Sequence, residues 1–89
     1  MNINSKKISV VGLGKLGACI AACLASKGFK VIGYDANEKV TLLLNGGKSP
    51  VVEPGLDGLI TRFKKNISGA TKPGDVIEKT DITYIIVPT

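Results

Sequence analysis

Histidine and tryptophan are absent from this 89-residue sequence, which has only two cysteines and four aromatic residues. Without histidine, the chain lacks the side chain that most often exchanges protons near neutral pH. Cys19 and Cys23 lie four residues apart in a helical pattern, which indicates small buried residues that pack a helix on a sheet. Two thiols without histidine or further cysteine do not make a zinc site. We therefore expect no metal site and a reducing, cytoplasmic location.

Long apolar runs and long basic runs are also missing. No stretch reaches the roughly 20 apolar residues of a membrane-spanning helix, and the first residues do not have the pattern of a signal peptide. The net charge of +5 arises from twelve Lys and Arg residues, scattered along the chain, against seven Asp and Glu residues. There is no long basic run, and no aromatic residue lies in a stacking pattern beside the basic pairs, so a dispersed, solvated surface is a better interpretation than a nucleic-acid interface. A positive surface also suits a small anionic ligand.

Strand patterns and helix patterns alternate along the chain. Four segments are predicted as strands: residues 7–13, 30–35, 67–72 and 81–89. Three segments are predicted as helices: residues 15–27, 37–44 and 56–65. A helical turn is also predicted within residues 74–80. The last strand is strongly apolar, so we expect it to be buried on both faces.

This alternation predicts an α/β fold with a Rossmann-like, doubly wound parallel sheet. Right-handed crossovers give the strand order 3-2-1-4, which is the first half of such a sheet. We expect residues 1–89 to form one partial domain without a second domain.

A glycine-rich stretch, GLGKLG at residues 12–17, joins the first predicted strand to the first predicted helix. Gly12 allows a tight turn, Gly14 lets the backbone approach a pyrophosphate, and Gly17 lets the helix pack closely on the strand. The helix N-terminus adds free N–H groups and a partial positive charge. The alternative is a flexible turn that binds nothing, because glycine-rich turns are common.

Asp35 ends the second predicted strand, 18 residues beyond Gly17. A carboxylate there can accept hydrogen bonds from both hydroxyls of the adenine-side ribose, and it repels a 2′-phosphate. The glycine loop and Asp35 together predict a site for NAD rather than NADP. Lys39 is a candidate for contact with the ribose or a phosphate, although a solvated lysine explains it equally well. Lys15 is a candidate for adding charge near the pyrophosphate.

The sequence resembles the N-terminal NAD-binding domain of the UDP-glucose/GDP-mannose dehydrogenases in four stretches: VVGLGKLG, VIGYDANEKV, LLNGGKSPVVEPGLDGLI and TDITYIIVPT. The resemblance extends from Lys7 to Thr89, and the segment at residues 45–56 is more specific to the family than the glycine loop. It implies an enzyme that oxidises a sugar-nucleotide alcohol to a carboxylate in two NAD-dependent steps, such as UDP-glucose to UDP-glucuronate.

The resemblance also implies residue roles: Asp35 binds the adenosine ribose, Leu16 contacts the cofactor through its backbone, and Thr89 lies near the cofactor. The chain departs from the family at Lys15, where tyrosine is usual, and at Val40, where a basic residue is common. The full set of candidate cofactor-binding residues is Gly12, Leu13, Gly14, Lys15, Leu16, Gly17, Asp35, Lys39 and Thr89.

The family's thiol nucleophile, catalytic lysine and sugar-nucleotide pocket find no match in this sequence. Neither cysteine fits the nucleophile's motif, and Glu53 and Asp57 are isolated acids in or near a loop. We therefore expect no catalytic residue here, an inactive 89-residue chain, and a UDP-sugar partner only for a full-length enzyme. The alternative is a stand-alone binding module that forms homo-oligomers through an exposed sheet edge. Neither hypothesis involves a nucleic acid or a membrane.

Overall fold

The structure is a computed structural model that describes residues 6–86, including every side chain in that range except those at positions 75 and 77. Strands and helices alternate along the chain. In chain order, the elements are β1 (Lys7–Val11), α1 (Lys15–Ser26), β2 (Lys30–Tyr34), α2 (Glu38–Asn45), α3 (Leu56–Arg62), β3 (Ile67–Gly69), α4 (Pro73–Lys79) and β4 (Ile82–Ile85). A 3₁₀ turn at Lys64–Asn66 joins α3 to β3.

The four strands form one parallel sheet in the order β3-β2-β1-β4. Ile8 pairs with Val31 of β2 on one side and with Ile82 of β4 on the other. The predicted α/β fold and strand order are therefore confirmed. The predicted last strand is confirmed from residue 82 to residue 85, and residues 87–89 lie outside the described part of the chain.

Local sequence explains where the helices begin and end. Asn37 precedes α2, and its side-chain Oδ1 accepts a hydrogen bond of 3.1 Å from the backbone N–H of Lys39. This cap satisfies one of the N–H groups that a helix leaves free at its start. Gly46 follows the last residue of α2 and donates its N–H to the carbonyl groups of Leu42 and Leu43. The predicted start and end of this helix are thus confirmed to within a residue.

Alanine, rather than leucine or cysteine, packs α1 against the sheet. Its buried face consists of small residues: Gly17, Ala18, Ala21, Ala22 and Ala25. The four alanines belong to the same core cluster as Val10 of β1 and Val31 of β2. The prediction that both cysteines are buried is wrong, because Cys19 is half-buried and Cys23 is exposed. Close approach to the sheet selects the alanine face and turns both thiols towards the loop before α3.

Strand β4 lies at an edge of the sheet and is exposed along its whole length. Ile85 retains 69% of its accessible surface, and Ile82 and Tyr84 retain more than 40%. The prediction that this strand is buried on both faces is wrong for the described residues, because α1 and α4 lie over β1 and β2 instead. Across residues 6–86, none of the helices has the length and apolar character needed to cross a bilayer.

Candidate functional site

The glycine loop lies at the carboxyl end of β1, where the order of the strands reverses. The chain passes from β1 to β2 and β3, which lie on one side of β1, and later returns to β4, which lies on the other side of β1. Strand β1 therefore has β2 on one side and β4 on the other, and this strand order places a crevice at the carboxyl end of β1. Ligands of doubly wound sheets bind in such crevices.

Packing requires two of the three glycines in the loop. Gly12 has a φ of +98°, which side chains rarely tolerate, and a Cβ there would collide with the carbonyl oxygen of Ile86. A Cβ at Gly17 would collide with the carbonyl oxygen of Gly12. Helix α1 therefore lies closer to the loop than it could with any residue other than glycine at position 17. The roles predicted for these two glycines, a tight turn and close helix packing, agree with this geometry.

Gly14 is different, because nothing in its described surroundings requires a glycine. Its φ of −70° suits any residue, and apart from Gly14 itself and its two chain neighbours no described heavy atom lies within 4 Å of where a Cβ would stand. The open space lies at the N-terminus of α1, where the first backbone N–H groups have no partner within the helix. The first turn of α1 also contains no acidic residue. This arrangement provides a cradle for an anion, which the Cβ of any other residue would partly fill.

Asp35 connects the glycine loop to the start of α2. Its Oδ2 accepts a hydrogen bond of 2.9 Å from the backbone N–H of Leu13, and its Oδ1 accepts one of 2.9 Å from the N–H of Asn37. Leu13 is itself held by its fully buried side chain. A carboxylate offers about four acceptor positions, so Asp35 keeps about two for a ligand. The structure thus brings Asp35 to the loop, as its position in the sequence predicts.

Lys15 and Glu53 form a salt bridge beside the loop. The Nζ of Lys15 lies 3.0 Å from Oε2 of Glu53, which belongs to the loop before α3. The hydrogen bond to Glu53 and the charge of its carboxylate raise the pKa of Lys15 above its ordinary value. Sequence reasoning missed this pair and described Glu53 as an isolated acid, because 38 residues separate the two positions and no local pattern connects them. The ammonium group of Lys15 therefore has a partner at the edge of the cradle.

The remaining candidates are less closely joined to the loop. Leu16 lies in the first turn of α1 with an exposed side chain. Lys39 lies in the first turn of α2, and its ammonium group has no hydrogen-bond or salt-bridge partner among the described side chains and backbone of residues 6–86. Thr89 lies outside the described residues. The described residues also contain no cluster of three His, Cys, Asp or Glu side chains that could hold a metal ion.

Comparison with known proteins identifies the family. Residues 6–89 match the sequence profile of the UDP-glucose/GDP-mannose dehydrogenase family, NAD binding domain. The chain belongs to this dehydrogenase family. The predicted family is therefore confirmed, and so is NAD as the cofactor that the matched domain binds.

Two curated relatives show how much of a dehydrogenase the chain represents. GDP-mannose 6-dehydrogenase from Pseudomonas aeruginosa is 40% identical over 85 residues, which cover 93% of this chain and 20% of that protein. UDP-glucose 6-dehydrogenase from Haloferax volcanii is 39% identical over 83 residues, which cover 93% of this chain and 19% of that protein. The chain thus spans about a fifth of the length of these relatives.

A solved structure of the same family has the same fold. The crystal structure of a ternary complex of GDP-mannose dehydrogenase from Pseudomonas aeruginosa matches 93% of this chain with a TM-score of 0.88 and 40% sequence identity. The match covers 20% of that chain. The fold described above is therefore that of one portion of a dehydrogenase of this family.

Proposed function

We propose that the chain is the cofactor-binding part of a nucleotide-sugar 6-dehydrogenase and that its glycine loop holds the pyrophosphate of NAD. The open space at Gly14 is the observation that carries this proposal. Neither backbone conformation nor packing against the described residues requires a glycine at this position, whereas a ligand that approaches the backbone does. The backbone N–H groups of Lys15 and Leu16 lie in the first turn of α1 and are donors for the phosphates.

Asp35 is proposed to accept hydrogen bonds from the hydroxyls of the adenine-side ribose. Two of its acceptor positions accept hydrogen bonds from the backbone N–H groups of Leu13 and Asn37, and the others remain for the hydroxyls of the ribose. Leu13 would then act by positioning Asp35, because its own N–H is already donated. The negative charge of Asp35 also disfavours the 2′-phosphate of NADP. Lys39, which follows on the first turn of α2, and Thr89 remain proposed contacts.

NAD, when bound, accepts a hydride from the alcohol carbon of the substrate, while the residues of this chain bind and orient the cofactor. For the whole enzyme we propose a UDP-glucose type of substrate, with a GDP-mannose type as the alternative. Relatives named for these two substrates are 39% and 40% identical to this chain. We further propose that residues 1–89 alone are inactive and form part of a larger NAD-binding domain. The proposed location is the cytoplasm, where free thiols such as Cys19 and Cys23 persist.

Calorimetric titration of the 89-residue chain with NAD and with NADP tests the cofactor proposal. We expect NAD to bind more tightly than NADP, and we expect Asp35→Asn to weaken NAD binding about tenfold, because a charged hydrogen-bond acceptor is lost. Asp35→Asn should also reduce the ratio of the affinity for NAD to the affinity for NADP, because the charge that repels the 2′-phosphate is removed. Glu78→Gln is the matched control, since it removes a carboxylate from the opposite edge of the sheet.

Three results would contradict the proposal. They are the absence of NAD binding, equal affinities for NAD and NADP, and an Asp35→Asn variant that binds both cofactors as the unaltered chain does. Inactivity is tested separately by incubation of the chain with NAD and either UDP-glucose or GDP-mannose. Appearance of NADH fluorescence would refute it.

A second candidate function is self-association through the edge of β4. The observation in its favour is the exposure of Ile82, Tyr84 and Ile85 on a strand that pairs only with β1 among the described residues. This hypothesis predicts a dimer or larger assembly by light scattering, and it predicts that Ile85→Lys converts the assembly to monomers. A monomer at all concentrations would contradict it.

A further inference from the structure

A cavity of about 590 Å³ lies at the amino-terminal edge of the sheet, opposite to the glycine loop. Four of its lining residues are lysines: Lys7, Lys30, Lys65 and Lys79. Ile32 also lines it and lies on the same face of the sheet as Lys30, whereas the buried side chains of Val31 and Ile67 face the core under α1 on the other side. The cavity has the volume of an ordinary small-molecule site, and the function proposed above does not use it.

The fold brings two of these lysines together. Lys7 and Lys30 are register partners at the first positions of β1 and β2. Neighbouring strands lie about 4.8 Å apart, so the two side chains start from adjacent positions on one face of the sheet. Like charges directly opposite each other destabilise a sheet. An anion bound between the two ammonium groups would remove this repulsion.

Lys30 is held in place by a chain of hydrogen bonds. Its Nζ donates to Oδ1 of Asn66 at 2.8 Å, and Nδ2 of Asn66 donates to the carbonyl oxygen of Ala25 at 3.2 Å. The end of α1 therefore fixes the amide that positions the ammonium group. An ammonium group has three N–H donors, so two remain for a ligand.

Positive charge exceeds negative charge around the cavity. Glu78 is the one acidic side chain among its described lining residues, against four lysines. The nearby carboxylate of Asp81 accepts the backbone N–H of Lys7 at 2.8 Å. Outside positions 75 and 77, no carboxylate in residues 6–86 forms a salt bridge with any of the four lysines. A concave, positively charged surface concentrates anions.

We propose that this cavity is a second anion site and that it binds a free small molecule with a polyphosphate group. Lys7, Lys30 and Lys65 carry the proposal, because Lys79 also has a separate stabilising role in the last turn of α4. The described lining residues include no aromatic side chain on which a base could stack, so the phosphate chain is the recognised group. The site is distinct from the glycine loop, which lies at the other ends of the same strands.

Two-dimensional NMR of the 89-residue chain during titration with inorganic tripolyphosphate tests this site. We expect saturable shifts of the backbone amides at residues 30–32 and 65–68. The double variant Lys30→Gln/Lys65→Gln should weaken binding about tenfold or more, because two charge-assisted hydrogen bonds are lost. The control variant Lys48→Gln/Lys72→Gln removes the same charge from exposed positions outside the cavity and should change the affinity less than about twofold.

Three outcomes would overturn the proposal. The first is a set of shifts confined to residues 12–17, and the second is an equal loss of affinity in the control variant. The third is an oligonucleotide that binds the cavity more tightly than tripolyphosphate, which would indicate a nucleic-acid partner. Gly14→Ala should leave the cavity shifts unchanged. Titration with NAD in the same experiment reports on residues 12–17, so failure of the cofactor proposal and failure of this one are distinguishable.

Discussion

Replacement of Gly17 by alanine adds one methyl group at the contact between α1 and the glycine loop. The new Cβ would collide with the carbonyl oxygen of Gly12 and would also reach 3.6 Å from a methyl group of Val10. A backbone carbonyl cannot rotate away as a side chain can, so α1 must move away from the sheet. The same replacement at Gly14 meets no described atom within 4 Å other than those of Gly14 and its two chain neighbours. The two variants therefore form a matched pair with one chemical change and two surroundings.

The expected magnitudes follow from these surroundings. Overpacking costs about 1–3 kcal/mol, and the better helix propensity of alanine offsets up to about 1 kcal/mol of that at Gly17. A net loss of about 1–2 kcal/mol lowers the Tm of a domain of this size by about 5–15 °C. At Gly14, a slightly poorer N-cap is balanced by the smaller entropy of the unfolded chain, so stability should change by less than about 0.5 kcal/mol.

Thermal and urea unfolding, followed by circular dichroism, measure the stability of both variants, and calorimetry measures their affinity for NAD. We expect Gly17→Ala to lose stability. We expect Gly14→Ala to keep its stability and to lose affinity for NAD, because its Cβ enters the proposed pyrophosphate cradle. The reasoning is refuted if Gly17→Ala is as stable as the unaltered chain, or if Gly14→Ala is stable and binds NAD normally.

Two further predictions concern polar contacts. Glu53→Gln should lower the pKa of Lys15 towards its ordinary value of 10.5, measured by NMR titration of the Lys15 side chain. Because Glu53 raises that pKa, the contribution of the ionised pair to stability should be complete at pH values just below 10.5 and should be lost as the pH rises through the raised pKa of Lys15; an unchanged pKa would contradict the contact. Ser9→Ala should lower stability by about 1–2 kcal/mol, because the buried Ser9 hydroxyl lies 2.8 Å from the hydroxyl of Thr83 and 2.9 Å from that of Thr80. The exposed Ser68→Ala variant is its control in urea unfolding, and equal stabilities of the two variants would contradict this role.

The fold was largely predictable because its signals are local. Alternating apolar patterns gave the order of strands and helices, and Asn37 and Gly46 marked the ends of α2. The handedness rule for crossovers then gave the strand order. The exposure of β4 was not predictable in this way, because an apolar strand at the centre of a sheet and one at its edge have the same sequence pattern. Its exposure depends on which helices lie over it, and that is a property of the tertiary structure.

The candidate site was predictable to a similar extent. The spacing of Gly12, Gly14 and Gly17 and the position of Asp35 identified the residues that meet at the carboxyl end of β1. The sequence alone does not separate Gly12 and Gly17, which packing requires, from Gly14, which packing does not require. The difference depends on neighbours in the fold, such as Ile86 beside Gly12. The salt bridge of Lys15 was missed for the same reason, since its partner Glu53 is distant in the sequence.

A crystal structure of the chain grown with NAD tests most directly the claim that the glycine loop and Asp35 form the cofactor site. The account predicts that the pyrophosphate lies against the backbone N–H groups in the first turn of α1. It also predicts that the ribose hydroxyls lie within hydrogen-bond distance of Asp35. A dinucleotide bound elsewhere on the chain, with the space at Gly14 occupied by water alone, would contradict the account.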